Sequence, residues 1–396
     1  MLRIALKMII ADRAKFAGLL FGIAFTSFLV TFAASYFCGF MTRGFSLISE
    51  NPGTDVWVMD PAVASVEQTI NMPTSALLRV RSVEGVVHAD PVALGTVAVR
   101  FANGRFQTFQ VIGVDDATLA GAPALLGARA SELRAPREAV VDAGGTSGKL
   151  ETPARAQDQW PHDGAHLDVP TRGLARGDEL LINDQLVSVL GQAHALPRFP
   201  PRPLLYTTLA NAIRILPTEA HALTFVMARA AADLPPRELA RRIEQRTGLR
   251  ARSAADFKSD TVRWFLINSE DVGDIAAMLT LAMTMGFGLT GVMLYMFTYE
   301  NQKQYAVLKA VGATPGTLVK MVLVQAAVCA LVGTGIGLGV CGIAGAIVIK
   351  LGFPFRMMWF TPLVGIVGVA LVSVAAAVIS LRPVVKLQPA VVFAGR

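Results

Sequence analysis

The chain has 396 residues, 53% hydrophobic and only 16% charged, with a mean hydropathy of +0.50. That is too apolar for an ordinary soluble domain and marks a membrane protein. Its formal charge of +7 is uneven: residues 41–270 carry 24 Lys and Arg against 25 Asp and Glu, leaving 12 against 4 elsewhere. The basic excess therefore flanks the apolar stretches, where cations orient spans, and needs no nucleic acid to explain it.

Residues 2–16 place Leu2, Leu6, Ile9 and Ile10 on one side of a helix and Arg3, Lys7 and Arg13 largely on the other. This pattern predicts an interfacial amphipathic helix over residues 1–16. Residues 17–40 contain no charge and are long enough to cross a hydrocarbon core of about 30 Å. With no small-residue cleavage site after it, this stretch is read as a retained first span. Cys38 follows Tyr36 and Phe37, which does not fit a lipid-attachment site, so it is read as a buried thiol.

Residues 41–270 form the one large polar region and are expected to fold as an α+β domain between the first and second spans. The stretches TDVWVM, GTVAVRF, FQTFQVIGV, EAVVD, ELLI and LVSVLG cluster or alternate β-branched residues, and Asn103-Gly104 reads as a turn. Two helices are expected, SALLRVRSVEG and PPRELARRIEQRTG, each followed by an extended stretch. Their likeness predicts two α/β halves, about residues 75–115 and 220–257, around a β-rich middle over 116–216. The stretch from 144 to 173 is rich in Gly, Pro, Asp and Thr and reads as a long loop.

The remaining elements are a second span at 272–298, a polar bend at 299–316, a third span at 317–349, a short outer loop at 350–360, a fourth span at 361–381 and a tail at 382–396. In the bend, Tyr305, Leu308 and Val311 recur at helical spacing and Gly312 falls where a helix C′ residue would. Thr314 and Pro315 then read as N-cap and N1 of the third span. Gly333, Gly335, Gly337, Gly339, Gly342 and Gly345 crowd that span and are expected to permit close helix packing, with a hinge as the alternative. Ten Lys and Arg near the proposed inner ends, against Lys350 and Arg356 in the short outer loop, predict both termini inside and the large domain outside.

No catalytic constellation emerges. In AGGTSGKL, residues 143–150, Ala143 and Leu150 stand where a phosphate-binding loop needs Gly and Ser or Thr. His162 and His166, near Asp163 and Asp168, have metal-ligand spacing, but Pro161 and Gly164 disfavour the helix that would use it. No metal site is expected. The spans carry no ionisable residue at depth, which argues against an ion-coupled carrier.

The segment YENQKQYAVLKAVGATPGTLVKMVLVQA resembles the conserved segment of the MacB/FtsX/LolC permease superfamily, the type VII ABC transporters. The order of one span, a large outer domain and three more spans is similar throughout. NPGTDVWVMDP and the stretch from ELLINDQL to TTLANAI resemble, more narrowly, the DevC-type permeases of glycolipid exporters, and the tail LQPAVVF is similar to the family's closing Pro-x-x-Ala-like signature. The resemblance implies a non-catalytic permease in the bacterial inner membrane, working by mechanotransmission. ATP and Mg would be used by a separate MacB/LolD-type ABC ATPase subunit, with no cofactor in this chain. It further implies a second permease copy, a periplasmic membrane-fusion adaptor, an outer-membrane channel and contact with membrane lipids. Lipid, glycolipid or other amphipathic cargo would leave from the periplasmic side. The ATPase-coupling residues would be Glu300, Gln302, Lys303, Tyr305, Leu308, Lys309, Gly312, Ala313, Thr314 and Pro315. The family's other trades, regulating an exported cell-wall hydrolase as FtsX does or extracting lipoproteins as LolC/E does, are the alternatives.

Overall fold

The computed structural model describes residues 13–154, 164–217 and 222–385. Most of the expected interfacial helix, the tail beyond Val385, and His162 with Asp163 lie outside them. Helices are α1 (Arg13–Gly44), α2 (Ser46–Glu50), α3 (Ser75–Arg81), α4 (Leu209–Ile215), α5 (Pro236–Thr247), α6 (Ala254–Asn268), α7 (Glu270–Glu300), α8 (Gln302–Ala310), α9 (Pro315–Lys350) and α10 (Thr361–Val385). Strands are β1 (Val56–Met59), β2 (Met72–Pro73), β3 (Val86–Arg100), β4 (Phe106–Val114), β5 (Ala124–Leu126), β6 (Glu138–Asp142) and β7 (Glu151–Pro153). They continue with β8 (Thr171–Gly173), β9 (Glu179–Ile182), β10 (Gln185–His194), β11 (Leu204–Thr208), β12 (Ala222–Leu223), β13 (Phe225–Ala230) and β14 (Arg250–Ser253).

The chain divides into two compact units, residues 1–40 with 269–396, and residues 41–268. In the first, four helical stretches among the described residues are long and apolar enough to cross a membrane: Phe16–Gly44, Glu270–Met293, Gly316–Lys350 and Thr361–Val378. Helix α1 lies against the other three. Its hydroxyls are buried, with Thr26 Oγ1 3.3 Å from Thr290 Oγ1, Ser27 donating to Thr334 O and Ser35 donating to Thr361 Oγ1. In hydrocarbon such groups need a partner inside the protein, so these contacts fix which face of α1 meets which span.

The second unit is built on one sheet in the order β14-β1-β13-β3-β4-β11-β6-β10-β5, with β9 paired to both β10 and β3. Pairing is antiparallel except for β11 with β4 and β10 with β6. Strand β3 is 15 residues long because its first half pairs with β13 and its second half with β4, joining what would otherwise be two sheets. The central strands read as continuous apolar runs because both of their faces are covered. In β1, Val56 and Val58 enter a core closed by α3 and α5, while Trp57 and Met59 enter a core shared with Phe225 and Phe257 on the other face.

Two expectations change. The first is sharpened rather than overturned: the helices expected to head the two α/β halves, α3 and α5, pack together into one core on the β14-β1-β13-β3 end of the sheet. The stretch read as a long loop is closed by a short ladder in which β7 pairs antiparallel with β8, Glu151 opposite Gly173 and Pro153 opposite Thr171.

Candidate functional site

The bend between α7 and α9 is tightly specified by backbone bonds, a cap and a small core. Helix α8 ends in a Schellman arrangement: Ala313 N–H donates to Leu308 O at 3.0 Å and Gly312 N–H to Lys309 O at 3.1 Å. Gly312 has φ +104°, a conformation that costs any residue with a Cβ about 1–2 kcal/mol. Thr314 follows as the N-cap of α9, its Oγ1 accepting from Thr317 N–H, with Pro315 at the start of the helix. Three residues therefore separate Ala310, which ends α8, from Thr314, and each has a defined conformation.

A small core locks the turn. Tyr305, Leu318, Met321 and Val322 are buried together, with Leu308 and Ala313 packed against them. Tyr305 is fully buried and its hydroxyl donates to Gln325 Oε1 at 2.9 Å, joining α8 to the second turn-pair of α9. Burial pushes the Tyr305 phenol up to about 12, so it stays neutral and keeps the proton it donates to Gln325.

This geometry divides the residues that the resemblance implies for coupling. Tyr305 is fully buried, and Leu308 and Ala313 are half-buried against its core, so these three hold the bend. Gln302 and Lys309 are half-buried, while Glu300, Gly312 and Thr314 are exposed. The side chains of Lys303 and Pro315 lie outside the described ones. The outward face of α8 instead carries Gln304, Val307 and Val311, with Val307 47% and Val311 83% exposed. Val307 was not singled out from the sequence, and Val311, which helical spacing groups with Tyr305 and Leu308, is exposed and lies outside their core because it falls past the end of α8. The available signal was the i, i+3, i+7 spacing of 304, 307 and 311. Gln325 was likewise passed over, although it is a polar residue inside an apolar run.

The six glycines of α9 also separate by face. A Cβ added at Gly333 would lie 2.7 Å from Ile23 Cγ2, at Gly337 2.4 Å from Ala24 O, and at Gly345 2.2 Å from the Phe355 ring. At Gly335, Gly339 and Gly342 it would meet nothing within 4 Å. Close packing within the chain thus involves three of the six. Gly286 and Gly365, not singled out in the sequence, do the same for α7 and α10, against Thr26 and Thr31 of α1.

Among the described residues no group of three His, Cys, Asp or Glu could hold a metal ion.

Residues 276–389, which contain most of α7, the bend, α9 and α10, match the family model described as FtsX-like permease C-terminal. This part of the chain is therefore similar to the C-terminal domain of FtsX-like permeases. The match does not reach the narrower DevC-type resemblance. A search of curated proteins finds no match. Among solved structures, the extracellular domain of the noncanonic ABC-type transporter YknZ from Gram-positive bacteria aligns with 12% identity and a TM-score of 0.33, covering 50% of this chain and 98% of that one. The periplasmic region of MacB from Actinobacillus actinomycetemcomitans aligns with 11% identity and a TM-score of 0.36, covering 58% and 96%.

Proposed function

We propose that the chain is the permease subunit of an ATP-driven exporter and works by mechanotransmission. A separate ABC ATPase of the MacB/LolD type would bind on the cytosolic side, with ATP and Mg in that partner. The observation that carries this reading is the bend of the part similar to FtsX-like permeases. Its turn is short, closed by a Schellman arrangement on one side and the Thr314 N-cap on the other and pinned by the buried Tyr305–Gln325 bond, yet it shows Val307 and Val311 outward. A segment of this kind passes on a displacement with little slack and offers an apolar foothold to whatever moves it.

In this reading a second permease copy completes the membrane part, and the outer unit engages a periplasmic adaptor and an outer-membrane channel. The cargo is a lipid, glycolipid or other amphipathic molecule taken from the outer side. Both termini are cytosolic and the unit spanning residues 41–268 faces outward. The outward face of α8, centred on Gln304, Val307 and Val311, replaces Tyr305, Leu308 and Ala313 as the contact with the ATPase.

The test is reconstitution of the chain with its cognate ATPase in nanodiscs. Val307→Glu with Val311→Glu is expected to abolish co-purification of the ATPase while leaving insertion and thermal melting unchanged. Undiminished co-purification would overturn the docking face. A screen of lipids for ATPase stimulation then addresses the cargo, and impermeant labelling of single cysteines placed within residues 41–268 addresses the topology.

A further inference from the structure

In the outer unit the chain enters through Gly44–Asn51, directly after α1, and leaves through α6, directly before α7. A segment far from both in sequence, residues 195–202, touches each of them. Arg198 is 4% exposed, an unusual burial for a guanidinium. It donates to Ser46 Oγ at 3.0 Å, to Glu50 Oε2 and to Tyr206 OH at 2.8 Å, while Tyr206 OH donates to Glu50 Oε2 at 3.1 Å. Glu50 Oε1 accepts from Leu196 N–H, so α2 is held by main chain and side chain of the same segment. The next residue, Phe199, packs edge-on against Phe265 of α6, with ring centroids 6.0 Å apart at 68°. Phe265 in turn covers Gly44 so closely that a Cβ there would lie 2.6 Å from its ring. On the same strand of contacts, Lys258 Nζ of α6 sits 5.7 Å over the Phe45 ring.

We propose that Arg198 is a positioning residue for force transmission: with Phe199 it clasps the entry segment to the exit helix, so that the two connections to the spans shift as one body. This rests on the mechanotransmission reading for its use, and on the contacts alone for its existence. A purely apolar contact would keep the segments together without fixing their angle. A guanidinium bonded to a hydroxyl, a carboxylate and a phenol at once fixes position in three directions, which is the better-attested use of a buried charge pair. Nearby, Arg202 donates to Glu67 Oε2 at 3.0 Å, an ion pair outside the Arg198–Ser46–Glu50–Tyr206 network, and so supplies a control.

The experiment places spin labels at Pro52→Cys, just past the entry segment, and Arg263→Cys on α6, in the full chain in nanodiscs with Cys38, Cys329 and Cys341 replaced by Ala. The paired change Glu50→Gln with Arg198→Met removes the clasp without stranding a buried charge. It is expected to broaden the Pro52–Arg263 distance distribution about twofold while thermal melting stays near that of the parent. Glu67→Gln with Arg202→Met is expected to leave the distribution narrow, and Arg198→Lys, which keeps the charge but not the three-way geometry, to fall between. An unchanged distribution in the Arg198 pair, or equal broadening in the Arg202 pair, would overturn the clasp. The distance needs no ATPase. If the parent chain fails to respond to its ATPase and ATP, the transport reading falls and the clasp is judged separately. If the parent responds, the Arg198 pair should keep ATP hydrolysis and lose the ATP-dependent change in distance.

Discussion

The bond between Tyr305 and Gln325 gives the sharpest quantitative expectation, because both residues are essentially inaccessible and the geometry is good at 2.9 Å. Tyr305→Phe keeps the ring in its core and removes only the donor. Gln325 has a further interaction of its own, so the loss should sit at the low end of the cost of stranding a buried polar group, about 1 kcal/mol. Gln325→Leu strands the phenol hydroxyl, which is fully enclosed and faces Gln325, and should cost about 1–3 kcal/mol. With both changes the apolar pair replaces both polar partners, an exchange that is often close to neutral, so the double variant should be more stable than the sum of the singles by about 2–4 kcal/mol. Equilibrium unfolding in mixed micelles measures the three variants against the parent, and ATPase stimulation in nanodiscs reads the same cycle functionally. Strictly additive stabilities would mean that the two side chains do not hold the bend together. The account of a pinned coupling segment would then be wrong.

Three other outcomes follow from specific geometry. Ala at Gly333 or Gly337 should destabilise the membrane unit by about 1–3 kcal/mol through overpacking against α1, whereas Ala at Gly335 or Gly339 should be tolerated; equal effects on unfolding would refute the facing assigned to α9. Gly312→Ala should cost about 1–2 kcal/mol from its positive φ alone, since a Cβ there meets nothing, and a neutral result would show that the turn relaxes. Asp256 is held below the usual carboxylate range by bonds from Arg237 and then Ser253. Its folded value lies under its unfolded one, so the stability it supplies is present above the ordinary carboxylate value and lost as pH falls through the lowered value. Asp256→Asn should flatten that part of the acid unfolding curve, and an unchanged curve would remove Asp256 from the account.

The architecture was legible where one physical constraint dominates. The charge-free run of α1 has no soluble alternative, and the β-branched apolar clusters in TDVWVM, FQTFQVIGV and EAVVD fell on β1, β4 and β6, strands covered on both faces. What escaped was decided by partners distant in sequence. Helical spacing groups Tyr305 with Leu308, but only the arrival of Leu318, Met321 and Gln325 makes that face the inner one. Likewise the spacing puts Gly333 and Gly337 on one side of α9 and Gly335 and Gly339 on another, while the side that packs is set by Ile23 and Ala24, some 300 residues earlier. The ladder of β7 and β8 was hidden by its own Gly- and Pro-rich flanks, which read as loop.

The hydroxyls of α1 bear on how the protein is made. Thr26 can satisfy itself on Gly22 O, but Ser27 and Ser35 bond to Thr334 and Thr361, which are synthesised last. At about 5–20 residues per second, some 300 residues of further translation separate α1 from those partners, on the order of 15–60 s. For that interval the first span resides in the bilayer with polar groups unmet by the chain that will eventually enclose it. That makes α1 a natural client for an insertase or membrane chaperone, and makes a chain truncated before α9 a natural substrate for membrane proteolysis.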